Sequence, residues 1–170
     1  MLVSDNDGKA LVITRIFDAP RELVWKTWTK PDIFKKWWGP KDFTTPVSRM
    51  DFRVGGETFS CMRAPDGQDF CSKGVYLEII ELERLIMTDS FADEEGNLVS
   101  PTHYGFSSDF PTEMQIEVIF EGEDGKTRLT LKHSDISKLI EEELEDMRQG
   151  WDESLDKLAE YLEKFLTNFE

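Results

Sequence analysis

The last part of the chain carries the pattern that most limits its fold. Ile140, Leu144, Met147, Trp151, Leu155, Leu158, Leu162 and Phe165 recur at spacings of three and four. That is the helical period, sustained for about seven turns, and it draws one apolar stripe along one long helix. Glu141, Glu142, Glu143, Glu145 and Asp146 crowd the polar side near its start, where the helix dipole favours acids. Gly150 interrupts the pattern at a cost of ~1 kcal/mol against alanine. A glycine there implies close approach of another backbone, or open space beside Trp151. So long a stripe needs a broad apolar surface to bury it, which a sheet supplies.

Upstream the period changes to two. Over residues 11–17, Leu11, Ile13 and Phe17 share one parity, although Val12 and Ile16 blur the alternation. Asp18-Ala19-Pro20 stops this strand. Pro20 suits the start of a helix over 21–29, whose Val24, Trp25 and Trp28 form a stripe. Pro31 opens a second short helix over 32–37, closed by Gly39-Pro40. Strand signals then follow at 43–53, where Pro46 marks an edge or a bulge, and at 58–63, 70–82 and 85–91. Met114, Ile116, Val118 and Phe120 alternate up to the turn Glu123-Asp124-Gly125, and Leu129 and Leu131 alternate after it. Residues 92–112 hold Gly96, Pro101, Gly105 and Pro111 without a period. They read as a functional or mobile loop, with Tyr104 and Phe106 available to cover a pocket.

Strands joined by short turns form an antiparallel meander, and the first strand must join it at an edge. The predicted fold is α+β: a curved antiparallel sheet of about seven strands around a long C-terminal helix, with two short helices after the first strand closing one end. A disordered tail over 1–10 and a single domain over 11–168 are expected. Between sheet and helix, the large aromatic content predicts a cavity of ~300 Å³ or more.

A formal net charge of −15 argues against nucleic acid and anionic membrane as partners, since both require a positive face. No apolar run reaches the ~20 residues that span a bilayer, and the first residues lack a signal-peptide pattern, so the cytoplasm is the expected compartment. Cys61, Cys71, His103 and His133 show neither Cys-x-x-Cys nor His-Glu-x-x-His spacing. No metal site and no tightly held cofactor is expected from them. Pro65-Asp66-Gly67, read as a three-residue loop, sets Cys61 directly opposite Cys71; a two-residue loop would set it against Ser72. Opposed strand residues lie close enough for a disulfide. Because cytoplasmic thiols are held reduced, two neighbouring free thiols that air can oxidise to a disulfide are expected, on the parity of Phe59 and Val75, taken as the inward face.

The run Phe34-Lys35-Lys36-Trp37-Trp38-Gly39-Pro40 bears most directly on function. Adjacent indoles diverge by ~100° on a helix and cannot both enter one core. Either one of them borders a cavity, a loop or water, or the pair seals a helix end. Among groups that could do chemistry, His133 ends a strand and either faces the cavity or is hydrogen-bonded at a strand–helix junction. Asp89 is either an inward carboxylate with a raised pKa or a solvated one. His103 reads as a loop residue, and Arg53 and Arg63 as rim or ordinary surface. No nucleophile–base spacing, phosphate loop or dinucleotide fingerprint is present.

Phe17-Asp18-Ala19-Pro20-Arg21-Glu22-Leu23-Val24-Trp25, Trp37-Trp38-Gly39-Pro40, Asp51-Phe52-Arg53-Val54-Gly55-Gly56, and Gly150-Trp151 with Leu155, Leu158 and Tyr161-Leu162 resemble the activator of heat-shock protein 90 ATPase homologue family. The resemblance covers nearly the whole chain. It implies the START-like, or SRPBCC, helix-grip fold shared with the birch-pollen allergen. That superfamily includes lipid carriers, polyketide cyclases and aromatases, and co-chaperone domains, so the fold leaves the function open.

The expected function is binding of a small hydrophobic or aromatic ligand in the internal cavity, without catalysis. The expected lining is Trp28, Trp37, Phe59, Val75, Leu77, Met87, Phe91, Ile116, Val118, Met147 and Trp151, with Asp89 and His133 orienting the ligand. The rivals are a cyclase- or hydrolase-type enzyme in the same cavity and a stress-related, co-chaperone-like interaction module, whose protein partner is not evident in the sequence.

Overall fold

A computed structural model describes residues 2–5 and 8–167. Its strands are β1 (Leu2–Asp5), β2 (Gly8–Phe17), β3 (Thr44–Met50), β4 (Glu57–Arg63), β5 (Asp69–Ile80), β6 (Arg84–Ala92), β7 (Glu113–Glu123) and β8 (Lys126–Ser134). The helices are α1 (Arg21–Thr29), α2 (Pro31–Phe34) and α3 (Glu141–Thr167). All eight strands form one antiparallel sheet in the order β1-β2-β8-β7-β6-β5-β4-β3. This is the expected meander with the first long strand joined at its β8 edge. One strand is added: Leu2–Asp5, assigned from sequence to a disordered tail, pairs with β2 from Leu2↔Leu11 to Asp5↔Gly8. Met1, Asn6 and Asp7 of that tail lie outside the described residues.

Proline positions the helices as the sequence suggests. Pro20 precedes α1, and its carbonyl accepts from Leu23 and Val24 N–H. Pro31 opens α2, which is shorter than expected, because residues 35–37 continue as turns. On α3, Glu143 Oε1 accepts from Ile140 N–H, satisfying one donor at the helix start. The stripe itself packs as read, with Leu144, Trp151, Leu155, Leu158 and Leu162 buried in one core with α1 and the sheet. Gly150 is not there for close packing. A Cβ built on it would meet only Pro40 Cγ, at 3.8 Å. Gly150→Ala should therefore raise stability by about 0.5–1 kcal/mol in urea denaturation, and a loss would show a contact that this geometry lacks.

Which face of the sheet looks inward is decided by a bulge. Tyr76 pairs with Met87, the register shifts, and Ile79 pairs with Leu85. Leu77 falls at the shift and is exposed. Ahead of it the inward residues of β4 and β5 are Thr58, Ser60, Ser72 and Tyr76, one step out of phase with the expected parity. Gly74 lies in the same stretch, where a Cβ would sit 1.9 Å from the Thr88 carbonyl oxygen, so β5 and β6 approach closely only because it is glycine. Phe59, Cys61, Cys71 and Ala92 accordingly form a separate small cluster on the outer face. Cys61 is opposite Cys71, as the three-residue loop required, with Cα atoms 4.0 Å apart. The pair is joined as a disulfide, which corrects the expectation of free thiols. Opposed strands hold the two sulfurs within bonding reach.

Candidate functional site

The site is built where the aromatic turn meets the sheet. Trp37 is fully buried and its Nε1–H donates to the Thr27 carbonyl at 2.8 Å. Trp38, one residue on, turns the other way and is only partly buried. It stacks on Phe34 at 4.5 Å and meets Trp151 edge-on at 5.2 Å. Trp28 joins this group, 4.9 Å from Trp37, 6.1 Å from Trp38 and stacked 6.3 Å from Trp151. Adjacent indoles have thus separated as side chains on successive positions must: one seals the core and one borders a void.

Two voids flank Trp38. One, of about 40 Å³, is bounded by Trp28, Phe34, Trp38, Met50, Met87 and Ile116 on its apolar side, and by Thr58, Ser60, Ser72, Tyr76, Thr88 and Asp89 on its polar side. The other, of about 120 Å³, is bounded by Trp38, Met62, Phe70, Ser72, Asp89, Phe91 and Met114, among others. Trp38, Ser72 and Asp89 border both. Neither approaches the ~300 Å³ cavity expected between sheet and long helix, because Trp28, Trp37 and Trp151 fill that space. A larger hollow of about 720 Å³ is an open groove between the end of β2 and the last turns of α3.

The polar wall has spare hydrogen-bonding capacity. Ser60 pairs with Ser72 across the strands, and Ser72 with Phe91, two residues from Asp89. Among the described residues, the side chains of Ser60, Ser72 and Asp89 have no hydrogen-bond or ion-pair partner. Burial pushes the Asp89 carboxyl up to about 7, since nothing nearby offsets the cost of its charge. Lys73, whose backbone runs along the wall, sends its ammonium elsewhere, to Glu57 Oε1 at 3.1 Å and the Gly96 carbonyl at 3.0 Å. Tyr76 is held neutral by burial, with its phenol pushed up to about 12. The Trp28 Nε1–H is buried without an acceptor.

The aromatic turn is clamped from behind. Lys157 Nζ donates to four carbonyl oxygens, those of Trp38 (3.3 Å), Gly39 (3.1 Å), Pro40 (3.4 Å) and Phe43 (2.9 Å). Loss of solvent lowers its pKa below the usual lysine range. Thr45 Oγ1 adds a fifth bond, to the Trp38 carbonyl at 2.8 Å. The Trp38 backbone is therefore fixed while its ring divides the two voids. On the outer side, Tyr104 fastens the long loop: its hydroxyl donates to the Ala92 carbonyl at 2.5 Å and accepts from Cys71 N–H at 3.1 Å. Phe106 and Phe110 pack on Phe91.

Of the residues expected to line the site, Trp28, Met87, Asp89 and Ile116 border the smaller void, and Phe91 borders the larger one with Asp89. Trp37 is core, and its neighbour Trp38 has the place expected for it. Phe59 and Val75 lie on the outer face and Leu77 at the exposed bulge, because the shift after Tyr76 defeats a count by twos. Val118 is fully buried beside Leu85 and Leu131, away from either void. Met147 packs against the core, and Trp151 is buried with its Nε1–H donating to His133 Nδ1 at 3.0 Å. Burial pushes the His133 imidazole down to about 4, so it is neutral near pH 7, and its Nε2 has no partner. Ser60, Ser72 and Lys157 were not singled out from sequence, and Trp38 was named there only as one of two adjacent indoles, either of which could border a void. Lys157 falls two helical turns after Gly150 on the flank that meets Gly39-Pro40, a weak signal that needs the tertiary contact to be read.

The family model for the Activator of Hsp90 ATPase homolog 1-like protein matches residues 18–163. No curated protein matches. Among solved structures, one from Nitrosomonas europaea is 26% identical, with 96% of this chain and 99% of that one covered and a TM-score of 0.77. One from Chromobacterium violaceum is 27% identical, with 91% and 96% covered and a TM-score of 0.74. The AHSA1 protein of Silicibacter pomeroyi shares the fold at 24% identity, with 90% and 96% covered and a TM-score of 0.71. Among the described residues no helix is long and apolar enough to cross a membrane. With the family's model running from just before α1 into α3 and the same helix-grip architecture in the relatives, the chain belongs to the Activator of Hsp90 ATPase homolog 1-like family.

Proposed function

We propose that this protein binds a small molecule with an apolar or aromatic body at the two voids divided by Trp38, in the cytoplasm. The observation that carries this is the pairing of an aromatic wall with a polar wall whose Ser60, Ser72 and Asp89 have no partner in the protein. Ser60 is buried and Ser72 and Asp89 are partly buried, so a ligand seated in the voids would reach polar groups not already engaged by the protein. The 40 and 120 Å³ voids are each small. Joined by rotation of the Trp38 ring they compare with the ~150 Å³ cavity that takes benzene. Trp28, Phe34, Met87 and Ile116 would supply contact area, with the methionine adapting to shape.

The enzymatic reading draws support from Asp89, whose carboxyl at about 7 suits acid–base work. It lacks a hydrogen-bonded second group, which favours the binder. A ring-sized ligand at a hundred times its Kd should add about 2.7 kcal/mol of stability. Thermal scans with a panel of compounds of six to ten heavy atoms, read together with tryptophan emission, test this. If no compound moves either signal at millimolar concentration, the reading fails.

A further inference from the structure

We infer that the ligand is a cation: a small primary amine whose ammonium group sits against Asp89 in the void bordered by the aromatic residues Trp28, Phe34, Trp38 and Tyr76. This rests on the binding reading above and narrows its chemistry. These aromatic residues and Asp89 border one void. Aromatic faces attract a cation through their quadrupoles, most strongly where water is excluded. A partly buried carboxylate beside such residues, with no cation bonded to it, is a countercharge without its partner. Neither nearby lysine supplies one: Lys73, which borders the void, has its ammonium committed to Glu57 and Gly96, and Lys157 is committed to four carbonyls behind the turn. The dimensions set the size. The 40 Å³ void takes a head of one or two heavy atoms, and the 120 Å³ void across Trp38 takes a short apolar tail, with Asp89 at the junction. A net charge of −15 draws cations toward the surface and repels anions.

Benzylamine, benzyl alcohol and toluene share a ring and differ in the head group, so they separate the two ideas. Calorimetry at about pH 8 and moderate salt, which screens binding to the acidic surface, should give benzylamine at least about tenfold the affinity of benzyl alcohol. Asp89→Asn should erase that preference. The unmodified protein supplies a second measure: its affinity for benzylamine should rise at least about tenfold from pH 5.5 to 8.5 as Asp89 ionises. Equal affinity for amine and alcohol, a preference that survives Asp89→Asn, or a flat pH profile overturns the cation and leaves ring binding intact. No binding of any of the three overturns both.

Discussion

Trp151→Ala should cost the fold about 3–5 kcal/mol in urea denaturation, enough to leave a domain of this size barely folded. The loss has two sources. The indole is buried and touches Trp28, Trp38 and His133, so its removal opens a void in the one place where α3, the aromatic turn and the sheet all meet. It also strips His133 Nδ1 of its hydrogen-bond donor, while Nε2 is already without a partner. A buried imidazole with neither nitrogen satisfied carries its full desolvation cost. Trp151→Phe keeps one aromatic ring but loses the N–H and part of the indole volume, so it should cost less than alanine, about 1–3 kcal/mol. A loss below ~1 kcal/mol for the alanine variant would mean that α3 docks without relying on this residue.

The second large effect is a pH dependence centred on Asp89. Its folded pKa, about 7, lies above the ordinary value of 3.8, so the folded state holds this proton more tightly than the unfolded chain. Stability from this group is therefore complete at low pH and is lost as pH rises from about 4 through about 7. At roughly 1.4 kcal/mol per unit the loss reaches at most about 4 kcal/mol, and pocket water reduces it. His133 works in the opposite sense. Its pKa, pushed down to about 4 from 6.5, means stability is lost as pH falls through that interval. The two slopes oppose each other between about pH 4 and 6.5, so the wild-type profile alone conceals both.

Asp89→Asn removes one slope. Relative to wild type, the variant should gain stability steadily with pH and level off above pH ~8, at an advantage of up to about 4 kcal/mol. Denaturation of both proteins at about pH 4, 6 and 8 checks this. A constant difference across that range would show that Asp89 titrates normally and is solvated. A residue retained at a cost in stability is the usual mark of a functional group, and here that cost falls on the side chain proposed to receive the ligand.

Much of the architecture was legible because it rests on local rules. Proline at the starts of α1 and α2, the three-four spacing of α3 and the alternation in β7 and β8 each specify an element without knowledge of its neighbours. A long amphipathic helix and a run of alternating strands left few ways to bury apolar area, and the sheet wrapped on α3 followed. Cys61 opposite Cys71 was legible too, because turn length sets hairpin register. Asp89 could be suspected from its parity with Met87 and Phe91, and it does border both voids.

What escaped the sequence depends on contacts between distant segments. The bulge at Leu77 comes from how β5 meets β6, with Gly74 set against the Thr88 carbonyl, and it turned Phe59, Val75 and Leu77 away from the interior. Which of two adjacent indoles enters the core was settled by the Thr27 carbonyl, an acceptor ten residues earlier that only Trp37 reaches. The volume left between helix and sheet was settled by packing, since three tryptophans and the sheet residues beneath them fill space that aromatic content alone could not show to be full. Lys157 holds the turn from more than a hundred residues away. Periodicity and turn chemistry act over a few residues and so determined the elements and their order. Register shifts, hydrogen bonds across the core and residual void are properties of the assembled chain, and they decided where the site is and what it can hold.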